Sequence, residues 1–248
     1  MHKQRVFDSD IYFSMFSGLE LLFMDRRSKV LGAVHPEYGR VLIRIYPGYW
    51  RGPACVEEQR SYAELNCVPH VYENGILLCG GRRCFYGVEE RTRGLSLREL
   101  GERDGGLSVK LALHIFPAGL RSLCEFERAG LTHGYIGRGN ILVGMEETKG
   151  DGETSGASYK EPWISFAEPG IGPRGSFPDS RRSDVGSFAS AVYESLDCRE
   201  RMAPETFFFM RLLWYFMEGN EQSPREALLR LCSCKGTSRL QRSCPGIV

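Results

Sequence analysis

Lysine is scarce in this sequence, six residues against 26 arginines, and neither sign of charge is in excess. With 32 basic and 31 acidic residues the formal net charge is +1. Such a balance excludes the basic footprint of a nucleic-acid binder or a polybasic membrane anchor. The arginine bias reflects coding composition rather than phosphate recognition. Long apolar runs are missing too. The most apolar stretch, Thr206 to Met217 (TFFFMRLLWYFM), is broken by Arg211 and is too short to span a bilayer. The first residues, MHKQRVFDSD, lack the apolar core of a signal peptide. No repeating Cys-x-x-Cys pair occurs among the nine cysteines, so a structural zinc site is not expected, and free thiols in a reducing compartment are. The reading is an intracellular protein, of cytoplasm or nucleus, with neither nucleic acid nor membrane as partner. What is present, 42% hydrophobic and 25% charged residues over 248 positions, suits one folded domain or two packed lobes.

Short apolar runs between turn formers predict strands at 20–24 (ELLFM), 30–35 (VLGAVH), 40–46 (RVLIRIY), 75–80 (GILLCG) and 83–89 (RCFYGVE). A polar segment, Val56 to Leu65, reads as a helix. From about Leu95 the pattern turns helical, first SLRELGER and then 108–129, where apolar residues recur at helical spacing. Strands follow at 141–143 and 163–166, then helices at 183–196, 203–217 and 224–232. The polar stretch 146–160 reads as a mobile insertion and about 236–248 as a loose tail. The expected class is α+β, with a strand-rich lobe over 1–90 and a mainly helical lobe over 91–248.

Residues 131–143 read LTHGYIGRGNILV. This resembles the catalytic loop of the protein kinase superfamily: a His-x-Asp, an Asn five residues later, and an apolar strand, all after a long helix. His133, Gly134 and Asn140 fall in register, with Tyr135 where the family has its catalytic Asp. Other landmarks follow in order. RVLIRIY resembles the strand of the ATP-anchoring lysine, with Arg44 in that place and Glu58 as its candidate partner on the following helix. ERTRGLSLREL resembles the hinge, with Glu90 in it. WISFAEPG resembles the approach to Asp-Phe-Gly, with Ser165, Phe166 and Ala167 in the three places. SDVGSFASAVYESL resembles the buried helix of the large lobe, whose Asp184 is expected to cap the loop backbone. The resemblance covers about residues 20–217. It implies a bilobal kinase-like fold with a small antiparallel sheet and one helix, then a mainly helical lobe.

The departures carry the functional expectation. Phosphoryl transfer in this family uses the loop Asp on the substrate hydroxyl, a second Asp on magnesium and a lysine on the phosphates. A tyrosine phenol holds its proton at neutral pH and offers no carboxylate. Ser165 is a poor magnesium ligand beside a carboxylate, and arginine does not replace lysine as a point charge. No Asp lies between Asp104 and Asp151 or between Asp151 and Asp179, and no Lys between Lys29 and Lys110. The first turn, MDRRSKV, has no glycine to let backbone approach phosphates. The resemblance therefore implies a catalytically inactive pseudokinase, a binding or scaffolding module with an unidentified protein partner, no metal and no expected cofactor. The alternative is an atypical ATP-dependent phosphotransferase of proteins or small molecules, with ATP and magnesium, using Arg44, Asn140 and Glu168. The small-molecule branch includes aminoglycoside-type phosphotransferases, which share a His-Gly-Asp loop.

If nucleotide binds, Arg44, Glu58, Glu90, Asn140 and Glu168 are the residues expected to meet it. His133, Asp184 and Phe166 are read as scaffold, and Tyr135 as filling the vacated pocket. Glu89, directly before Glu90, raises a difficulty, because an unpaired buried carboxylate costs several kcal/mol. Arg26 and Arg27 could meet phosphates from the first turn. The segment from Gly170 to Arg182 is a curtailed docking segment, and Ala203-Pro204-Glu205 reads as a helix start. Candidate docking surfaces are Phe207 to Phe216 and 146–160.

Overall fold

The structure is a computed structural model and describes residues 6–24, 28–47, 62, 64–92, 94–144, 162–167, 183–220 and 223–233. The expected helix at Val56 to Leu65 falls almost wholly outside these residues, as do Glu58, Glu168, Arg26, Arg27, the segment 170–182, the insertion 146–160 and the tail 236–248. The chain divides into two compact units. One holds the described residues up to Glu64 and Pro69–Thr92, and the other Leu65–Val68 with the described residues from Gly94 onward.

Alternation of apolar and polar residues builds the first unit. Its strands are β1 (Val6–Asp8), β2 (Ser17–Met24), β3 (Lys29–His35), β4 (Gly39–Pro47), β5 (Val71–Cys79) and β6 (Arg82–Glu90). They form one sheet in the order β1-β5-β6-β4-β3-β2. Val41, Ile43 and Ile45 of β4 and Tyr86 and Val88 of β6 point to one face, where they pack with Leu31, Ala33 and Leu77. A short helix, α1 (Ser9–Phe13), adds Tyr12 to that core, with its ring 4.6 Å from Tyr86. The sheet is not purely antiparallel as expected, because β1 pairs in parallel with β5, Val6 opposite Ile76. Three residues are too few to show a period in sequence. The run ELLFM belongs to an edge strand exposed along its whole length. Its ladder with β3 shifts register between Ser17 and Glu20 and again between Leu21 and Phe23, and such bulges twist an edge away from further pairing.

The second unit is mainly helical: α2 (Leu97–Glu102), α3 (Val109–Arg128), α4 (Asp184–Ser195), α5 (Cys198–Arg201), α6 (Phe207–Met217) and α7 (Pro224–Ser233). The expected helical onset at Leu95 is instead β7 (Leu95–Ser96), which joins β8 (Ile141–Gly144) and β9 (Trp163–Phe166) in a small sheet. The helix begins one step later because Ser96 forms a capping box, accepting from the Glu99 N–H while Glu99 accepts from the Ser96 N–H. Ser108 and Ser183 cap α3 and α4 through their hydroxyls alone, accepting from the N–H of Leu111 and of Gly186. The helix expected from Ala203 starts as a 3-10 turn at Pro204–Thr206 before α6. Phe116 of α3 stacks on Phe188 of α4 at 5.3 Å and meets Phe216 of α6 at 5.6 Å. No helix among the described residues is long and apolar enough to cross a membrane.

Close approach of α3 and α4 depends on Gly119, where a Cβ would sit 2.1 Å from the Phe188 ring. Alanine is the better helix former by about 1 kcal/mol, while forced overpacking of a core costs about 1–3 kcal/mol. Because Phe188 is fully buried and cannot swing out, the steric cost wins. Gly119→Ala is therefore expected to lower the urea midpoint, and a raised midpoint would refute the tight crossing.

Candidate functional site

The loop after α3 is held by a ring of hydrogen bonds. Asp184, the first residue of α4, accepts from the backbone N–H of His133 at 2.6 Å and of Gly134 at 2.9 Å. Gly134 has φ of +72°, a left-handed conformation that glycine adopts without a Cβ clash. The fully buried His133 uses both ring nitrogens, Nδ1 accepting from the Tyr135 N–H and Nε2 donating to the Ala167 carbonyl at 3.1 Å. Ala167 returns the contact by donating its N–H to the Asn140 carbonyl at 2.8 Å. The Asn140 side chain closes the ring: Nδ2 donates to the Tyr135 carbonyl at 2.5 Å and Oδ1 accepts from the Gly137 N–H at 2.8 Å.

Burial sets the electrostatics here. Removal from water pushes the His133 imidazole down to about 4, opposed only in part by its bond to Ala167, so the ring stays neutral. Burial likewise pushes the Asp184 carboxyl up from its ordinary value, while the two N–H donors pull it back. Phe166 flanks His133 with ring centres 5.7 Å apart and passes the packing on to Phe188, also at 5.7 Å.

Ser165 lies within β9, as the expected strand at 163–166 has it, opposite Leu142. Its hydroxyl is buried and donates to the Cys67 carbonyl at 3.2 Å. That carbonyl also accepts from the Phe166 N–H at 2.7 Å. Cys67 anchors the far side as well, its thiol donating to the Ser122 carbonyl, and burial pushes that thiol up from its ordinary value. Nothing in the sequence marked Cys67, whose contacts depend on a segment far away along the chain.

Within the first unit, Arg44 of β4 stands opposite Gly87 of β6, and Leu42 stands opposite Glu89. Arg44 and Glu89 are thus diagonal neighbours on the sheet face opposite the core, with no side chain at Gly87 between them. The Arg44 Nε meets a Glu89 carboxylate oxygen at 2.8 Å, the side chains 13% and 6% exposed. Glu89, expected to be a costly unpaired charge, is paired. Glu90 has an exposed side chain, and its backbone donates to the His70 carbonyl and accepts from the Thr92 N–H.

The kinase-like fold that the sequence resemblance implies would use ATP with magnesium, and the polar groups it would call on here are already bonded. Asn140 Oδ1 is engaged with Gly137, the Ser165 hydroxyl with Cys67, and both Asp184 oxygens with backbone N–H groups. Among the described residues no group of three His, Cys, Asp or Glu side chains could hold a metal. The described residues do not fit a magnesium–phosphate group.

Two measurements check this geometry. Arg44→Met leaves the buried Glu89 charge without this partner, an expected loss of about 3–5 kcal/mol, while Arg44→Met with Glu89→Leu recovers most of it. A single-mutant cost below about 1 kcal/mol would mark the pair as no stronger than a surface bridge. The second concerns pH. A folded His133 near 4, against 6.5 when unfolded, makes the unfolded chain bind the extra proton. Its contribution of about 3 kcal/mol, at roughly 1.4 kcal/mol per pH unit, is complete above pH 6.5 and lost as pH falls towards 4. Asp184, raised, acts in the opposite sense. The stability gap between the wild type and His133→Gln is therefore expected to shrink between pH 7 and 4.5 in urea titrations; a pH-independent gap would refute the buried neutral ring.

No protein-family model matches the chain, and no curated protein matches it. Solved structures do, with 1891 chains sharing its shape. One is the crystal structure of Rad53 1-466 in complex with AMP-PNP, at a TM-score of 0.61 and 14% identity, covering 88% of this chain and 65% of that one. The chain thus spans less than two thirds of that structure. Identity this low concerns shape alone, and the shape is that of a protein kinase-like fold.

Proposed function

We propose that this chain is a catalytically inactive kinase-like module, a pseudokinase, that binds or scaffolds other proteins without a nucleotide cofactor. The observation that carries the reading is the closed ring around His133, Asn140 and Asp184. It keeps the loop in shape while presenting Tyr135 where phosphoryl transfer requires a carboxylate. Among the described residues, the Asn140, Ser165 and Asp184 side chains are bonded to backbone, and Arg44 is drawn to Glu89. A loop retained in form and stripped of its acid–base and metal chemistry fits a domain used as a surface. The Rad53 structure contains AMP-PNP; the expectation here is that such a nucleotide finds no metal-dependent hold.

Thermal unfolding with ATP, ADP and AMP-PNP, each with and without magnesium, tests this. A ligand specific to the folded state adds about 2.7 kcal/mol at a hundredfold excess over Kd, which is readily seen. No magnesium-dependent rise is expected, and no transfer of labelled phosphate. A magnesium-dependent rise accompanied by transfer that Asn140→Ala abolishes would sink the reading and establish the atypical phosphotransferase.

A further inference from the structure

The hairpin of β5 and β6 turns on two residues, Gly80 and Gly81, with φ of +56° and +75°. Positive φ at both central positions is what a type I′ turn requires, and such a turn fixes the register of its strands. That register sets Leu77 opposite Cys84 and Cys79 opposite Arg82. Side chains alternate along a strand, so Cys79 shares a face with Leu77 and therefore with Cys84. Both cysteines are free, half-buried thiols packed against the core of the first unit. They are diagonal neighbours at the turn end of the hairpin.

The two thiols interact. Burial and the adjoining Cys79 thiol push the Cys84 thiol up to about 11, and the Arg82 guanidinium pulls it back in part. Sulfurs held side by side in this way can join as a disulfide or share a metal ion, and distance decides between the two. Diagonal neighbours on an antiparallel ladder have Cα atoms about 7–8 Å apart. A disulfide, with its S–S bond of about 2.05 Å, asks for less than about 7 Å. A shared metal places two bonds of about 2.3 Å between the sulfurs, as zinc–thiolate bonds do, and closes the wider gap. The donor type narrows the choice of ion. A pair of thiolates is soft and suits Cu(I). Zinc asks for four donors in a tetrahedron, and among the described residues no group of three His, Cys, Asp or Glu side chains comes together.

We propose that Cys79 and Cys84 form a two-thiolate site for a soft monovalent metal ion, Cu(I). Two S–H bonds break, both protons pass to solvent and two Cu–S bonds form, with nothing oxidised or reduced. The occupied site carries one net negative charge, which the Arg82 guanidinium across the ladder offsets. This site goes beyond the binding-module reading and does not depend on it.

The test uses the full chain, reduced and kept free of oxygen, with Cu(I) supplied from a competing chelator and Zn(II) as the comparison. After desalting, the wild type is expected to hold about one copper more than Cys79→Ser, Cys84→Ser or the double variant. The three variants are expected to hold equal amounts, because neither thiol alone keeps the ion. In the wild type, Cu(I) is also expected to protect Cys79 and Cys84 together from alkylation by N-ethylmaleimide, read by peptide mass. That second measurement needs no substitution and keeps the test decisive if a variant fails to fold. Copper held equally by all four chains would assign it to other cysteines and overturn the proposal. So would alkylation of the pair at one rate with and without Cu(I), or protection by Zn(II) equal to that by Cu(I).

Discussion

Asp184 is the interaction on which the second unit depends. A carboxylate so far from water is costly unless donors surround it, and here the donors are the N–H groups of His133 and Gly134. Its position at the first turn of α4 helps, since the positive end of the helix dipole favours a negative charge. One side chain thus supports the start of a core helix and satisfies two buried donors of a loop. With those two donors fixed, the His133 ring is placed between Tyr135 and Ala167, and Ala167 is placed against Asn140. Each later bond presupposes the first.

The two units bury charge by different means. In the second, a lone carboxylate is balanced by backbone dipoles and needs no cation. In the first, Glu89 is balanced by Arg44, its diagonal neighbour across the β4–β6 ladder. Removing a partner from a buried pair is expensive, although such a pair adds little over an apolar one of equal volume. Its effect is therefore to fix the register of β4 on β6 and to hold the Arg44 head to the sheet. An arginine held in this way is a structural element first.

What could be read from the sequence was local. The strands of the first unit, the long α3 and the loop LTHGYIGRGNILV each announce themselves within a dozen or so residues, through period, turn formers or spacing. What could not be read was relational. β1 has three residues and gains its identity only beside β5. β7 exists because β8 lies next to it, and SLRELGER gave no hint of a strand before its cap. Glu89 looked unpaired because its partner sits two registers away on another strand, and sequence does not carry register. The strand at 163–166 was legible and holds Ser165, but the partner of its hydroxyl, the Cys67 carbonyl far off along the chain, was not.

The ring around the loop also explains how its shape is kept with a tyrosine at position 135. Tyr135 contributes backbone groups to that ring, its N–H donating to His133 and its carbonyl accepting from Asn140. Both bonds are made by main-chain atoms, which any residue but proline at 135 supplies. His133, Asn140 and Asp184 are different, because each contributes side-chain atoms whose loss would orphan buried donors or acceptors. The ring therefore depends on the side chains at 133, 140 and 184 and on the main chain at 135.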